Sequence, residues 1–227
     1  MRASRLGLVF DSAPRLSHGP VTVRGIRLRD AKALEGELIA NRPWLEPWEA
    51  TLPGSRPSGR FDTKSSIRSL LESDREGTGL AFAIEVDGEF AGQLNVANIS
   101  GGALSSSTLG YWIARRFAGR GATTIAVALV TDHLMLGLGL HRVEVCIRPE
   151  NLASLRVVEK LGFRYEGCRR RYIHIDGDWR DHLCFALVRE ELAEPVLQRF
   201  LAGRVPPFDR SVYPVEVGGD PRADRSA

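Results

Sequence analysis

The sequence predicts a mixed α/β fold built on a central sheet of about seven strands, and three observations predict it. Between Leu80 and Ala114 the apolar side chains alternate with period two through three successive runs, the pattern of an antiparallel meander. From 122 to 138 the period lengthens to that of a helix, with Ile125, Val127, Val130, Leu134 and Leu138 forming an apolar stripe. A strand, a helix and a hairpin then follow, and this alternation implies a parallel crossover. With 227 residues, 43% hydrophobic and 26% charged, the chain can bury one sizeable core.

Residues 1–20 mix Arg, Ser, Pro and Gly without a period and are read as a loosely ordered arm. The domain proper spans 21–203. Residues 21–28 are strand-like, and Asp30 is placed as the N-cap of a helix carrying Ala33, Leu34, Leu38 and Ile39. Across 42–53, Pro43 and Pro47 forbid a regular helix while Trp44 and Trp48 require burial, so this stretch reads as a structured loop over a site or a core edge. Residues 53–60 are turn-rich, and Thr63 or Ser65 caps a short helix through Ile67, Leu70 and Leu71 to Glu76.

The meander runs through 80–86, a turn at Asp87-Gly88, then 90–99 and 108–114. After the long helix, 142–147 is a strand and 153–161 a helix that Gly162 stops. Residues 163–175 and 179–188 flank Asp176-Gly177, a hairpin signal. The remainder, 204–227, begins near Pro206-Pro207, is rich in Gly, Asp and Arg, and is read as a disordered tail.

Composition excludes several function classes. The 31 basic and 28 acidic side chains leave a formal charge of +3, too small a surplus to predict direct nucleic-acid binding. Only three of the basic residues are lysines, Lys32, Lys64 and Lys160; the skew reads as base composition before it reads as anion recognition. Cys146, Cys168 and Cys184 form no C-x-x-C pair, which argues for reduced thiols and against a zinc ribbon or a disulfide framework. No leader pattern is visible, and Asp132 and His133 interrupt the most apolar stretch, so a cytoplasmic protein with no membrane partner is expected.

Chemistry concentrates where the third meander strand passes into the long helix through Arg116-x-x-Gly119-x-Gly121-Ala122. Glycines let the backbone adopt otherwise closed conformations and approach a ligand, a helix N-terminus presents unpaired N–H groups with partial positive charge, and Arg115, Arg116 and Arg120 add full charges. Together these are the elements of a pyrophosphate cradle. The plain alternative is a glycine-containing turn with solvated arginines. Neither the P-loop nor the dinucleotide glycine pattern is present.

The order of meander, Arg-x-x-Gly-x-Gly, helix, strand, Asn151-x-x-Ser154, helix and Leu161-Gly-Phe163 resembles the GNAT superfamily of acyl-CoA N-acyltransferases over residues 21–188. Trp48-Glu49, Leu109-Gly-Tyr111, the Gly-Phe-x-x-Glu-Gly run at 162–167 and the run from Ile175 to His182 are similar to its RimJ-like branch, which acetylates N-terminal alanine of ribosomal proteins. The resemblance implies helices on both faces of the sheet and acetyl-CoA as co-substrate, with no metal. It implies that backbone amides at Gly119, Arg120, Gly121, Ala122 and Thr123, with Arg116, hold the pyrophosphate. It also implies that Trp112, Ile113 and Ala114 pair with the pantetheine arm, that Asn151 contacts that arm, and that Ser154 lies near the thioester sulfur. Locally, Asn151 reads equally well as a helix N-cap.

Transfer to an amine needs a neutral nucleophile, a stabilised oxyanion and a proton for the leaving thiolate. An α-amine of pKa about 7.7 to 8.0 is already on the order of a tenth to a third neutral near pH 7, whereas a lysine is well under about 0.1% neutral. An α-amine acceptor thus asks for only a weak base. Ser154 is the candidate donor to the sulfur, the N–H near Ile113 the candidate oxyanion donor, and Glu49 the candidate for holding or deprotonating the amine. Trp48, Asn95 and Tyr111 are candidates for lining the acceptor slot. A related branch uses a strand glutamate and a helix tyrosine; here those positions hold Cys146 and Val158, which leaves Glu144 as a weak substitute. His174, His182 and Cys184 are not read as a metal cluster, and Arg169 to Arg171 are read as a solvated strand face, with a ribosome-bound substrate or the 3′-phosphate of CoA as the alternative.

The expected function is acetylation of a protein N-terminal α-amine, with small-subunit ribosomal proteins among the candidate acceptors, by a monomer or a homodimer. The alternatives are a small-molecule amine acetyltransferase, as for an aminosugar, and a catalytically idle acyl-CoA-binding regulator.

Overall fold

The structure, a computed structural model, describes residues 2–3, 9–10, 13–54, 62–213 and 217–219. The meander is β5 (Leu80–Val86), β6 (Glu89–Ser100) and β7 (Ser106–Ile113), preceded by β4 (Val21–Gly25) and followed, after the helix α4 (Ala122–Asp132), by β8 (Arg142–Ile147). The hairpin comprises β9 (Arg164–Ile175) and β10 (Asp178–Val188). With β3 (Leu16–His18) these form, among the described residues, one eight-stranded sheet, ordered β3-β4-β5-β6-β7-β8-β10-β9. The eighth strand is the addition to the expected seven: β3 (Leu16–His18) pairs antiparallel with β4, so the sheet begins inside the segment expected to be an arm. Its three residues carry no pattern of their own, and the ladder to β4 holds them. Two short strands, β1 (Arg2–Ala3) and β2 (Val9–Phe10), pair separately. The arm expectation for 1, 4–8 and 11–12 and the turn expectation for 55–60 lie outside the described residues, as does the tail expectation for 214–216 and 220–227.

Helices cover both faces. On one, α4, α5 (Leu152–Leu161) and α6 (Val196–Leu201) close over Phe82, Ile84, Leu94, Val143, Val145 and Phe185. On the other, α1 (Ala31–Ala40) and α3 (Thr63–Glu76) bring Leu34 and Ile67 onto Ala81, with Phe90 and Trp112 at the edge. Because β5 is covered on both faces, small alanines can sit opposite large residues, and Ala81 and Ala83 are as buried as Phe82. Phe208, Tyr213 and Val217 also pack against the larger core, so the chain after 203 is not disordered throughout.

Several local expectations are corrected. Asp30 stands at the N-cap of α1, but its carboxylate is taken by Arg24 at 2.8 and 2.9 Å and by the Arg27 amide. Asp62 caps α3, accepting from Ser65 N at 2.9 Å, in place of Thr63 or Ser65. The long helix is α-helical to Asp132 and continues as a π turn over His133–Gly137. In the 42–53 stretch the prolines stand in the first turns of two short pieces, α2 (Arg42–Leu45) and a 3-10 turn (Glu46–Trp48), where a missing N–H costs nothing.

Candidate functional site

Among the described residues the only parallel neighbours in the sheet, β7 and β8, pair from Ser106↔Arg142 to Leu109↔Val145 and no further. Beyond that point β7 stays paired to β6 as far as Ile113, and β8 to β10 as far as Ile147. The two strands therefore fork, leaving backbone edges that an extended amide-bearing ligand can satisfy. A cavity of about 370 Å³ occupies the fork. Gly110 and Tyr111 line it from β7, Cys146 and Ile147 from β8, and Asn151 and Ser154 from the start of α5. Asn95, Trp48 and His182 line it as well.

At the tip of β7 the turn into α4 has the form expected of an anion cradle. Gly119 and Gly121 have φ of 76° and 81°, which side-chain-bearing residues rarely adopt. A Cβ at either would meet nothing within 4 Å, so the space over these peptides is open. Gly121 is the N-cap and no side chain caps it, which leaves first-turn amides at Ala122 and Thr123 free to bind an anion. Arg115 and Arg120 are exposed and carry no side-chain pairing among the described residues. Arg116 is different: its guanidinium lies 2.6 Å from Glu37 and 3.6 Å from Glu89, over the Phe117 ring, so its charge is already compensated. The turn is pinned from α1 and α2, with the Arg115 amide donating to Asn41 Oδ1 at 2.9 Å and the Trp44 indole donating to the Ile113 carbonyl at 3.1 Å.

The loop carrying Trp48 is fastened over the cavity. Arg148 donates to the Pro47 carbonyl at 2.8 Å and lies over the Trp48 ring, and Thr51 N donates to the His174 carbonyl at 2.9 Å. Glu49 beside Trp48 is ion-paired with Arg42 and is not part of the cavity lining. Glu144 is likewise engaged by Arg142 at 2.8 Å and Arg169 at 3.4 Å, outside the lining. Asn151 does cap α5, accepting from Ser154 N at 3.1 Å, and both side chains still face the cavity. Tyr111 donates to the Ser154 carbonyl at 3.4 Å, and burial raises its phenol well above the usual range, so it stays protonated. Asn95 accepts from Gln93 at 2.9 Å.

His174, His182 and Cys184 do not converge: His174 meets Thr51, His182 its own strand, and Cys184 meets Cys146. Among the described residues no group of three His, Cys, Asp or Glu could hold a metal ion, and no helix is long and apolar enough to cross a membrane. The β8–β10 register sets Cys146 opposite Cys184, with their sulfurs 3.3 Å apart. The two thiols hydrogen-bond to each other, which lowers the Cys184 thiol and raises that of Cys146.

Sequence reasoning missed Asn41 and Arg148, singled out Trp44 only as a residue needing burial, and weighed His182 only as a metal ligand. For His182 a signal existed, a polar residue inside the apolar run that ends β10. Arg148 is recognisable only when Pro47, 101 residues earlier, is seen to lie against it. A second depression, of about 520 Å³ between α4 and α6, is open and shallow; the Asp132 carboxylate at its edge already accepts from the Val196 and Leu197 amides.

Residues 21–164 match the family model of an acetyltransferase (GNAT) domain. The chain is 30% identical to the [ribosomal protein uS5]-alanine N-acetyltransferase of Escherichia coli over 76% of its length and 90% of that protein. It is 31% identical to the probable N-acetyltransferase YjcK of Bacillus subtilis, over 75% and 95%. Among solved structures, Mycobacterium smegmatis RimJ in complex with CoA-disulfide superposes with a TM-score of 0.79 at 38% identity, covering 88% of this chain and 97% of that one.

Proposed function

Because the chain belongs to the GNAT acetyltransferase family and is an acyltransferase using acetyl-CoA, we propose that it acetylates the N-terminal α-amine of a ribosomal protein, with alanine as the first residue. The observation that carries this reading is the acceptor cavity itself, whose lining contains no aspartate or glutamate among the described residues. A polycationic acceptor such as an aminosugar would find no counter-charge there. A lysine would also need a strong base, whereas a single α-amine is partly neutral at physiological pH. The named relatives support the same acceptor class. The idle-regulator alternative predicts a damaged cradle, and the cradle is open and uncapped.

Acetyl-CoA supplies a thioester-activated acetyl group. The chain's part is to hold and orient it. In this reading the amides at Gly119, Arg120, Gly121, Ala122 and Thr123, with Arg115 and Arg120, hold the pyrophosphate. The edge of β7 that β8 leaves unpaired beyond Leu109, with Trp112, Ile113 and Ala114 at its end, holds the arm together with the Asn151 amide, and the Ser154 hydroxyl donates to the departing sulfur. Trp48, Asn95 and Tyr111 shape the slot for the first residue. Arg116 acts through Glu37, by fixing the turn.

The test is turnover on peptides beginning with Ala, compared with the same peptides blocked at the N-terminus, with internal-lysine peptides and with an aminosugar. Acetylation confined to free N-termini is expected. Equal activity on blocked lysine peptides or on the aminosugar would refute the α-amine reading, and CoA binding without turnover on any amine would favour the regulator. Mass spectrometry of ribosomal proteins with and without the enzyme identifies the acceptor.

A further inference from the structure

A buried histidine closes the acceptor side of the cavity. His182, on β10, is 4% exposed, and its ring stands edge-on to Tyr172 with centroids 5.8 Å apart. Its Nδ1 lies 3.0 Å from the Arg180 carbonyl. A carbonyl oxygen can only accept, so Nδ1 carries the proton, and in the neutral ring the lone pair is on Nε2. Nε2 has no hydrogen-bond partner among the described residues, yet it is not sealed in the core, and the side chain lines the cavity.

The other titratable groups of the lining are engaged or already protonated. Tyr111 is raised and remains protonated, Cys146 is tied sulfur to sulfur to Cys184 at 3.3 Å, Tyr172 is a phenol receiving a hydrogen bond from Arg169, and Arg148 is a permanent cation. Glu49 and Glu144 are ion-paired outside it. We propose that His182 Nε2 is the proton acceptor for the incoming ammonium group. This rests on reading the cavity as the acceptor site.

The step balances as follows. One ammonium N–H bond breaks, its electron pair stays on nitrogen and the proton passes to Nε2. The nitrogen then bonds to the acetyl carbon, the C–S bond breaks, and a second proton from nitrogen reaches the thiolate sulfur, directly or by way of the Ser154 hydroxyl. The products are the amide, free CoA and an imidazolium that returns its proton to solvent through the cavity mouth.

The surroundings suit a base that takes a proton and releases it. Burial lowers the His182 pKa from its ordinary value near 6.5, and Arg148 at the end of β8 pushes the same way; the Arg180 carbonyl, Glu150 and Asp181 oppose them. From β9, Arg169 stands at the paired position and Tyr172 against the ring, and Cys184 follows on the same strand. The ring is therefore neutral at pH 7, and its protonated form is disfavoured beside Arg148.

The test is kcat at saturating Ala-peptide across pH for the wild type and for His182→Gln, with acetyl-CoA affinity measured by calorimetry. At pH 7 the variant should lose about a hundredfold in kcat, within the usual range for a general base, with acetyl-CoA affinity little changed. The deficit should shrink as pH rises past about 8, where the amine loses its proton unaided. Added imidazole should restore part of the rate in His182→Ala. An unaltered rate and profile in His182→Gln, or an equal loss at pH 7 and pH 9 with no imidazole rescue, overturns the proposal.

A wild-type measurement stands apart from the folding of either variant. With an aminooxy-terminated peptide, whose nucleophile is neutral at pH 6, the acid limb seen with the Ala-peptide should vanish; an identical limb overturns the proposal. If the wild type acetylates some other amine but no peptide N-terminus, the acceptor reading falls, and the same profiles on the accepted amine decide the role of His182.

Discussion

Replacing Gly121 by alanine separates the two things this glycine does. Its φ of 81° costs a side-chain-bearing residue about 1–2 kcal/mol in backbone strain. No steric clash is added, because a Cβ there meets nothing within 4 Å. For a chain of this size, strain of that order lowers Tm by about 2–8 °C, well short of unfolding. The same methyl group, however, stands in the open space over the first-turn amides where the pyrophosphate is proposed to sit. Losing one charge-assisted hydrogen bond there is worth about 1.5–3 kcal/mol, or about 10- to 150-fold in CoA affinity. Gly139→Ala is the control: φ is 74°, a Cβ again meets nothing within 4 Å, and the position is remote from the cradle. Calorimetric titration with CoA, alongside thermal melts, should show equal Tm losses and a CoA defect in Gly121→Ala alone. Wild-type CoA affinity in Gly121→Ala, or a matching CoA defect in Gly139→Ala, would refute the cradle.

Arg120→Ser should weaken CoA binding and flatten its salt dependence, since this guanidinium is unpaired among the described residues, whereas Arg116→Ser should show a smaller CoA effect and a larger loss of Tm because it breaks the contact with Glu37. Asp30→Asn removes one of the two carboxylates that hold the buried Arg24, leaving Glu85 at 2.7 Å, and should cost about 1.5–3 kcal/mol in denaturant unfolding at pH 7. Burial pushes the Asp30 carboxyl up, but Arg24 and the Arg27 amide pull it down by more, so the net pKa is lowered. Its stabilisation is therefore complete above the ordinary carboxylate range and lost as pH falls through the lowered native value, and wild type and variant should converge in acid. A gap that persists at low pH would contradict this assignment. Alkylation of Cys146, which lines the cavity, should be slowed by saturating acetyl-CoA, while Cys168, outside the lining, should react unchanged; mass spectrometry of the labelled peptides reads both.

What the sequence determined by itself is everything carried by local order. Alternation marked β5, β6 and β7, the helical period marked α4, Asp176-Gly177 marked the hairpin, and the paired glycines marked a turn that only residues free of a Cβ can make, since each of these signals is spent within one or two turns of backbone. Tertiary structure decided which polar groups meet. Glu37 compensates Arg116 across 79 residues, and Arg148 fastens Pro47 across 101, so neither the lost charge at the cradle nor the closed loop over the cavity is visible in a window. Glu49, chosen for its neighbour Trp48, is turned to Arg42 by the short helix that the prolines start. His182 reads locally as one more polar residue in a strand; it becomes a candidate base only because β10 inserts between β8 and β9 and carries the ring to the wall of the fork. Periodicity tells which face of an element is buried, but strand order and register, set by packing over the whole chain, decide what that face touches.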